Sequence, residues 1–232
     1  MTAEEVYKEL ERGIIIGILK PRERLVEADL CKKLGISRTL LREVFRRLEG
    51  AGLITLNPNR GVVVHDFTPE EIEDVYFIRI QLEMAAAPLI IQKITSEKLK
   101  ELRNLNQDFK KACLKNDMVG MILGNLDFHR RLIQATGNPF LCQFLEMSRL
   151  QTHQVRYISW ADKKRIGQSL KDHKEMLSAL ARKDLTKFEA VTKKHLEAGK
   201  RDYQQIFLSQ KRTSFLRKQE SRKTLDSGSS PE

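Results

Sequence analysis

The stretch from Leu30 to Ile54, LCKKLGISRTLLREVFRRLEGAGLI, restricts the possible folds more than any other part of the chain. Leu30, Leu34, Ile36, Leu40, Val44, Leu48, Leu53 and Ile54 can line one packing face, and Gly35 supplies a tight turn between two short helices, so the spacing predicts a helix-turn-helix. With the apolar positions committed to one side, the second helix carries Ser37, Arg38, Thr39, Arg42 and Arg46 on the other. Hydroxyls and guanidiniums at helical spacing near a helix start suit phosphate contacts and bidentate reading of a guanine edge in the major groove. A solvated charged face would account for the same arginine stripe in isolation. The residues after this helix tell the two apart. Ile54 to Leu56 and Val62 to Val64 are short β-branched runs around Asn57-Pro58-Asn59-Arg60-Gly61, which predicts a hairpin and hence a winged helix. Arg60 at the tip is placed to enter a minor groove, with Gly61 letting the backbone approach closely.

The segment from about Val6 to Val64 resembles the DNA-binding domain of the GntR superfamily of bacterial transcriptional regulators. The resemblance is carried by Gly17-Ile18-Leu19-Lys20-Pro21 with Leu25, Glu27-Ala28-Asp29-Leu30, Leu34 to Thr39, Leu41-Arg42-Glu43-Val44, Arg47-Leu48-Glu49, Gly52-Leu53-Ile54 and Asn59-Arg60-Gly61, in that order. This chain departs from the family pattern at Arg22, where Gly is usual, and at Phe45, where a smaller residue is usual.

The chain has 232 residues, room for one small and one ordinary domain. A first helix is expected over residues 4 to 18, with Val6, Leu10, Ile14 and Ile18 on one face. Thr68-Pro69-Glu70-Glu71 is a strong helix start, with an N-cap hydroxyl, Pro at N1 and Glu at N3, and it puts the domain boundary after residue 67. From Pro69 to about Leu208 the periods are helical throughout, with helices expected near 69 to 92, 96 to 115, 117 to 136, 139 to 159, 168 to 182 and 184 to 208. Pro88 should kink the first of these or end it early. The fold class expected is therefore mainly α: an N-terminal winged helix-turn-helix over 1 to 67, then an all-α antiparallel helical bundle over 68 to 208. The polar, serine-rich and basic residues 209 to 232 are expected to be a disordered tail.

The net charge of +11 favours a polyanionic partner, yet residues 1 to 67 hold 12 Lys and Arg against 10 Asp and Glu, only +2. The expectation of DNA therefore rests on where particular arginines lie. The apolar run from Ile14 to Leu19 is far too short to span a membrane, and no cleavable signal precedes it, so a cytoplasmic protein without a membrane partner is expected. Cys31, Cys113 and Cys142 are scattered and odd in number, which argues against a disulfide framework.

Three histidines sit on apolar stripes of three different helices in the bundle. Asn125 and His129 are one turn apart among Ile122, Leu126 and Ile133; His173 lies among Leu170, Leu177 and Leu180; His195 shares a stripe with Phe188, Val191 and Ala198. A single inward histidine is ordinarily a hydrogen-bonded core residue. Three of them with a side-chain carbonyl one turn from the first also fit a divalent ion such as Zn²⁺, Ni²⁺, Mn²⁺ or Fe²⁺, and spacing does not choose between these readings.

Residues 69 to 208 resemble the helical effector-binding domain called FCD, found in the FadR-like branch of the same superfamily. The matching marks are Arg79 with Leu82-Glu83, Phe128-His129 with Leu132, Gly137-Asn138-Pro139, Asp172-His173 with Leu177, Ala179-Leu180, Asp184 and His195-Leu196. In metal-binding members an Asp four residues before the first His joins three histidines around a divalent ion. The resemblance thus implies His129, His173 and His195 as ligands, with Asn125 at the Asp position. It also implies a small organic acid as effector, with Arg79, and after it Arg156, neutralising the carboxylate. For Arg79 the competing reading is an ion pair with Glu83 one turn on.

Together these readings describe a homodimeric regulator of a palindromic double-stranded DNA operator, whose helical domain senses a small carboxylate through a bound metal. The alternatives are a metal-free regulator of an acyl or other larger ligand, and a metal-dependent enzyme. The enzyme reading has no H-E-x-x-H type pairing of a carboxylate with a histidine behind it.

Overall fold

The computed structural model describes residues 1–57, 61–153, 155, 160 and 163–226, with side chains as far as Ser209. Helix α1 (Ala3–Ile15) opens on a capping box in which Thr2 and Glu5 each satisfy the other's backbone N–H. It buries Val6, Leu10, Ile14 and Ile15 against α3. The chain ends that helix, turns through Arg22 and forms the two-residue strand β1 (Arg24–Leu25). Arg22 is left-handed, with φ 67°, a conformation that costs an ordinary L-residue about 1–2 kcal/mol and Gly almost nothing. That explains why Gly is the usual residue at this turn. Here the Arg22 guanidinium is tied down by an ion pair with Asp66.

Helices α2 (Glu27–Leu34) and α3 (Arg38–Gly50) are joined through Gly35, which caps α2 in the left-handed region at φ 63°. Strands β2 (Ile54–Asn57) and β3 (Gly61–Val64) pair antiparallel from Ile54 opposite Val64 to Asn57 opposite Gly61, and β1 adds to the far side of β3 in the order β1-β3-β2. The expected hairpin is present; β1 has too few residues to show any alternation in the sequence. Leu41, Val44, Phe45 and Leu48 are the buried residues of α3. Leu30, Leu34, Ile36 and Leu40, expected on the same packing face, are only half-buried.

Beyond the wing, Thr68 and Glu71 form a second capping box at the start of α4 (Pro69–Lys93). Then come α5 (Ser96–Leu114), α6 (Met118–Gln134), α7 (Pro139–Gln151), α8 (Lys163–Ala181) and α9 (Leu185–Asp226). Thr95, Asp117 and Asn138 cap α5, α6 and α7 through their side chains. Helices α5 and α6 pack together, α9 lies against α4 and α8, and α7 against α4.

Three expectations are corrected here. Of the two outcomes expected at Pro88, the early end does not occur, since α4 runs on to Lys93. The ring is exposed, while Ala86, Ala87 and Ile90 on the opposite face are buried, and their packing offsets the lost hydrogen bond. The tail expected to be disordered from residue 209 is helical through Asp226. Its Lys, Arg, Gln, Glu and Leu are good helix formers, and a helix that already exists extends without a second nucleation. The helix expected over 139 to 159 closes at Gln151, where Thr152 is the C-cap.

Candidate metal and DNA sites

On α3 the expected recognition residues lie where the sequence put them. Arg38, Thr39, Arg42 and Arg46 are exposed, opposite the buried row of Leu41, Val44, Phe45 and Leu48. Ser37 is the N-cap, its Oγ accepting the Leu40 N–H at 3.2 Å, so its hydroxyl serves the helix start first. Arg42 is held by Glu27 of α2 at 3.1 Å and must leave that carboxylate to reach a base or phosphate. Arg47 faces elsewhere, donating to Glu4 at 2.6 Å and lying over the Tyr7 ring. Gly61 begins β3 at φ 73°. Arg60 lies outside the described residues, as does Arg156.

In the bundle, His129 from α6, His173 from α8 and His195 from α9 converge. One nitrogen from each lies within 4.8 Å of the others, and all three rings are buried. His129 Nε2 is 3.2 Å from His173 Nε2. Phe128 stacks on the His173 ring at 4.3 Å between centroids and sets its plane. Two of the outer nitrogens meet an oxygen: His173 Nδ1 is 3.2 Å from Asn106 Oδ1, and His195 Nδ1 is 3.1 Å from Asp172 Oδ2. Those acceptors place the protons on Nδ1 and turn both Nε2 lone pairs inward. Asp172 is itself held by Gln168 at 2.7 Å.

Burial keeps all three imidazoles neutral. It drives His129 and His173 well below the ordinary histidine range, with the Arg149 guanidinium and the neighbouring rings adding to the effect. His195 is also pushed down by burial, but Asp172 opposes the shift. Asp172 is lowered because its hydrogen bonds from His195 and Gln168 and the nearby Arg165 charge outweigh its burial.

A small cavity of about 30 Å³ lies beside these rings, lined among others by Tyr76, Arg79, Asn125, His129, Arg165 and His195. Asn125 Oδ1 is buried and has no hydrogen-bond partner. Three neutral imidazoles, two of them with inward lone pairs, and an orphaned amide oxygen fit a borderline divalent cation. Arg79 makes the ion pair with Glu83 that was one of the two readings weighed for it. It lies 3.6 Å from Glu83, donates to Thr152 Oγ1 at 2.8 Å, and still lines the cavity.

Residues 2–64 match the family model described as "Bacterial regulatory proteins, gntR family", and residues 74–198 match the "FCD domain". The chain belongs to the GntR family. It is 30% identical over 197 residues to the HTH-type transcriptional regulator YdhC of Bacillus subtilis, an alignment covering 84% of this chain and 83% of that one. It is 26% identical over 204 residues to the HTH-type transcriptional repressor RspR of Escherichia coli, covering 88% and 89% respectively. Among solved structures, E. coli McbR/YncC superposes with a TM-score of 0.79 at 25% identity, over 88% of this chain and 97% of that one. The protein is thus a DNA-binding transcriptional regulator with an FCD domain, and its relatives are regulators rather than enzymes. No helix among the described residues is long and apolar enough to cross a membrane.

Within this GntR-family chain, four residues at the site escaped the sequence reading. Asp172 had a signal, since it adjoins His173 in the chain, and Arg165 stands one turn before Ser169 and two before Asp172 on a polar stripe of α8. Arg165 donates to the His195 carbonyl at 3.1 Å and pairs with Asp202 at 2.7 Å. Asn106 and Arg149 had none: each sits on a helix whose pattern reads as ordinary surface and core.

Proposed function

We propose that this regulator is a homodimer whose FCD domain binds a divalent cation, with Zn²⁺, Ni²⁺ or Mn²⁺ the best matched, together with a small organic acid that alters its affinity for a palindromic operator. The observation that carries the reading is the convergence of His129, His173 and His195 on one another, beside a small cavity lined by His129, His195 and Asn125, whose Oδ1 is unpartnered. These four residues would hold the ion, and Arg79, with Arg165 across the cavity, would neutralise a carboxylate. Arg156 stays a candidate on resemblance alone. When bound, the cation supplies a fixed positive charge and open coordination positions for carboxylate oxygens.

The chain's own residues do the rest. Asn106 and Asp172 orient two of the imidazoles, Phe128 fixes one ring plane, and burial keeps the rings uncharged, as a cation needs. Ser37, Arg38, Thr39, Arg42, Arg46, Arg60 and Gly61 would contact DNA, residues 1 to 67 forming the reading head and 68 to 208 the sensor.

Contacts between the two parts support coupling. Arg130, next to His129, forms an ion pair with Glu146, and its charge also acts on Glu11 of α1. Gly52, just before the wing, lies against Gln151 at the end of α7, and Tyr203 donates to the Phe67 carbonyl at 2.6 Å. A shift of α6 or α7 on effector binding would therefore be felt by α1 and the wing, and coupling of about 1–3 kcal/mol is typical of such regulators. For the homodimer, Phe77 and Ile78 on α4 and Phe140, Phe144 and Met147 on α7 are exposed on two helices that pack together. An apolar face of that size is a usual protein interface, and a two-fold pair of winged helices reads a palindrome.

The deciding experiment is elemental analysis of protein purified without chelators, on wild type and His173→Ala. About one divalent ion per chain, lost in the variant, is expected. No metal in wild type, even after incubation with Zn²⁺, Ni²⁺ and Mn²⁺, would reject the metal. In that case the 3.2 Å His129–His173 contact is simply a hydrogen bond in a polar core, and the metal-free sensor of a larger ligand takes its place.

A further inference from the structure

Strand β1 adds one guanidinium to the wing. Arg24 is exposed and stands opposite Val63 of β3, so by the two-residue pleat it shares the outer face of the sheet with Val63 and with Thr55 of β2. Its side chain does not stay opposite Val63. It runs diagonally along the sheet, until Nε and Nη2 each lie 3.7 Å from the point where a Cβ on Gly61 would stand. Gly61 follows Arg60 in the chain and opens β3, so the guanidinium ends at the tip side of the hairpin rather than over its base.

Arg22, Arg42 and Arg47 of the same domain are each held by a carboxylate, that of Asp66, Glu27 and Glu4 respectively. Arg24 has no carboxylate partner among the described residues. Its backbone, by contrast, is fixed. The Arg22 N–H donates to the Val64 carbonyl at 3.0 Å and the Val64 N–H to the Glu23 carbonyl at 2.9 Å, which carries the ladder with β3 past Arg24 on its N-terminal side. An anchored backbone under a free charged head leaves little to order when an anion binds. The bare backbone of Gly61 leaves room for that anion to approach. Because residues 1 to 67 carry a net charge of only +2, attraction of DNA to this domain depends on such particular cations rather than on its overall charge.

We propose that Arg24 is a DNA contact of the wing, its guanidinium meeting a backbone phosphate of the operator beside the hairpin tip. The inference rests on the wing reading given above and adds β1 to the DNA interface. The planar fork of a guanidinium matches the oxygens of a phosphate two at a time. Such a contact carries no sequence information. It fixes the orientation of the wing on the duplex, so that Arg60 and the exposed face of α3 meet the bases in register. Its removal is therefore felt in affinity and salt dependence, and not in the choice of sequence.

The test is fluorescence anisotropy of the full chain at several salt concentrations, on a labelled duplex recovered from random sequence by selection with the wild-type protein. Arg24→Ala, Arg24→Lys and Arg60→Ala are compared with Arg103→Ala, which removes an exposed guanidinium from α5 of the bundle. Arg24→Ala is expected to weaken binding about fivefold or more per chain bound and to lower the salt slope by about 0.9, equally on duplexes with A·T-rich and G·C-rich flanks. Arg24→Lys keeps the charge but not the fork, and is expected to retain the slope with part of the affinity. Circular dichroism and thermal unfolding of Arg24→Ala are expected to match wild type; Arg24→Gln, which keeps more of the stem, takes its place if they do not. Unchanged affinity and slope in Arg24→Ala, beside a loss in Arg60→Ala, overturn the phosphate contact and leave the wing reading standing. No loss in either variant overturns both. An equal loss in Arg103→Ala, which would be a general charge effect, or a loss in Arg24→Ala that varies with the flanks, which would be a base contact, also overturns the proposal.

Discussion

Acidification should destabilise the metal-stripped protein through its histidine cluster, by an amount the burial pattern sets. His129 and His173 are fully enclosed and their affinity for protons lies well below that of an ordinary histidine, mainly because burial disfavours the charged ring. The unfolded chain has histidines of the ordinary kind, which take up protons as pH falls below about 6.5. The unfolded state then binds more protons than the native state, so the contribution of these rings to stability is fully present above that pH and is lost as pH falls below it. Each ring that stays neutral while its unfolded counterpart is charged contributes a slope of about 1.4 kcal/mol per pH unit, so the pair contributes roughly 2.7. That is a large part of the ~5–15 kcal/mol available to a typical domain. His195 should add less, because Asp172 stabilises its charged form. The assay is urea unfolding of apo protein between pH 7.5 and 5.5, for wild type and for His129→Gln/His173→Gln, whose difference removes the pH dependence of every other group. A wild-type-minus-variant difference that stays flat across this range would refute the argument, since it would mean that both rings are protonated in the native state or are open to solvent.

Other measurements bear on the remaining elements. Arg38→Ala and Arg46→Ala should each weaken operator binding by about 1–3 kcal/mol if they read bases, or reduce the salt dependence by about one ion if they touch phosphate; fluorescence anisotropy at several salt concentrations separates the two. Arg42→Ala should act similarly but also free Glu27, so part of its loss should be recovered in Arg42→Ala/Glu27→Ala. Phe144→Glu, alone or with Phe77→Glu, should convert the protein to monomers in light scattering while leaving its circular dichroism intact, because both rings are exposed in the single chain. Thr68→Ala removes the side-chain half of the α4 capping box and should cost about 1 kcal/mol in thermal or chemical unfolding.

The reading of α3 shows how much a local pattern can carry. Its polar and apolar positions alternate at helical period, so burial of Leu41, Val44, Phe45 and Leu48 forces Arg38, Arg42 and Arg46 outward whatever the rest of the fold does. The helix starts were legible for the same reason. Ser37, Thr68, Thr95, Asp117 and Asn138 each bond a backbone N–H within three residues, an interaction that needs no partner from elsewhere in the chain. Where the expectations failed, a longer-range effect outweighed the local rule. Pro88 breaks helices in isolation, but α4 is held by its buried opposite face. Strand β1 exists only because β3 offers it an edge. The basic terminal stretch reads as coil by composition, yet it extends a helix that is already nucleated.

The histidine site divides along the same line. Sequence by itself determined that His129, His173 and His195 would face inward, since each lies on an apolar helical stripe, and that Asn125 would stand one turn from His129. Only the tertiary structure decided that the three stripes meet at one point, because convergence depends on how α6, α8 and α9 pack rather than on the period of any one of them. It also decided which atoms surround the rings. Asn106 reaches His173 across a separation of 67 residues, and Asp172 turns from its neighbour His173 to hold His195 instead. Such hydrogen bonds link side chains on different helices, so no periodicity within one helix can announce them.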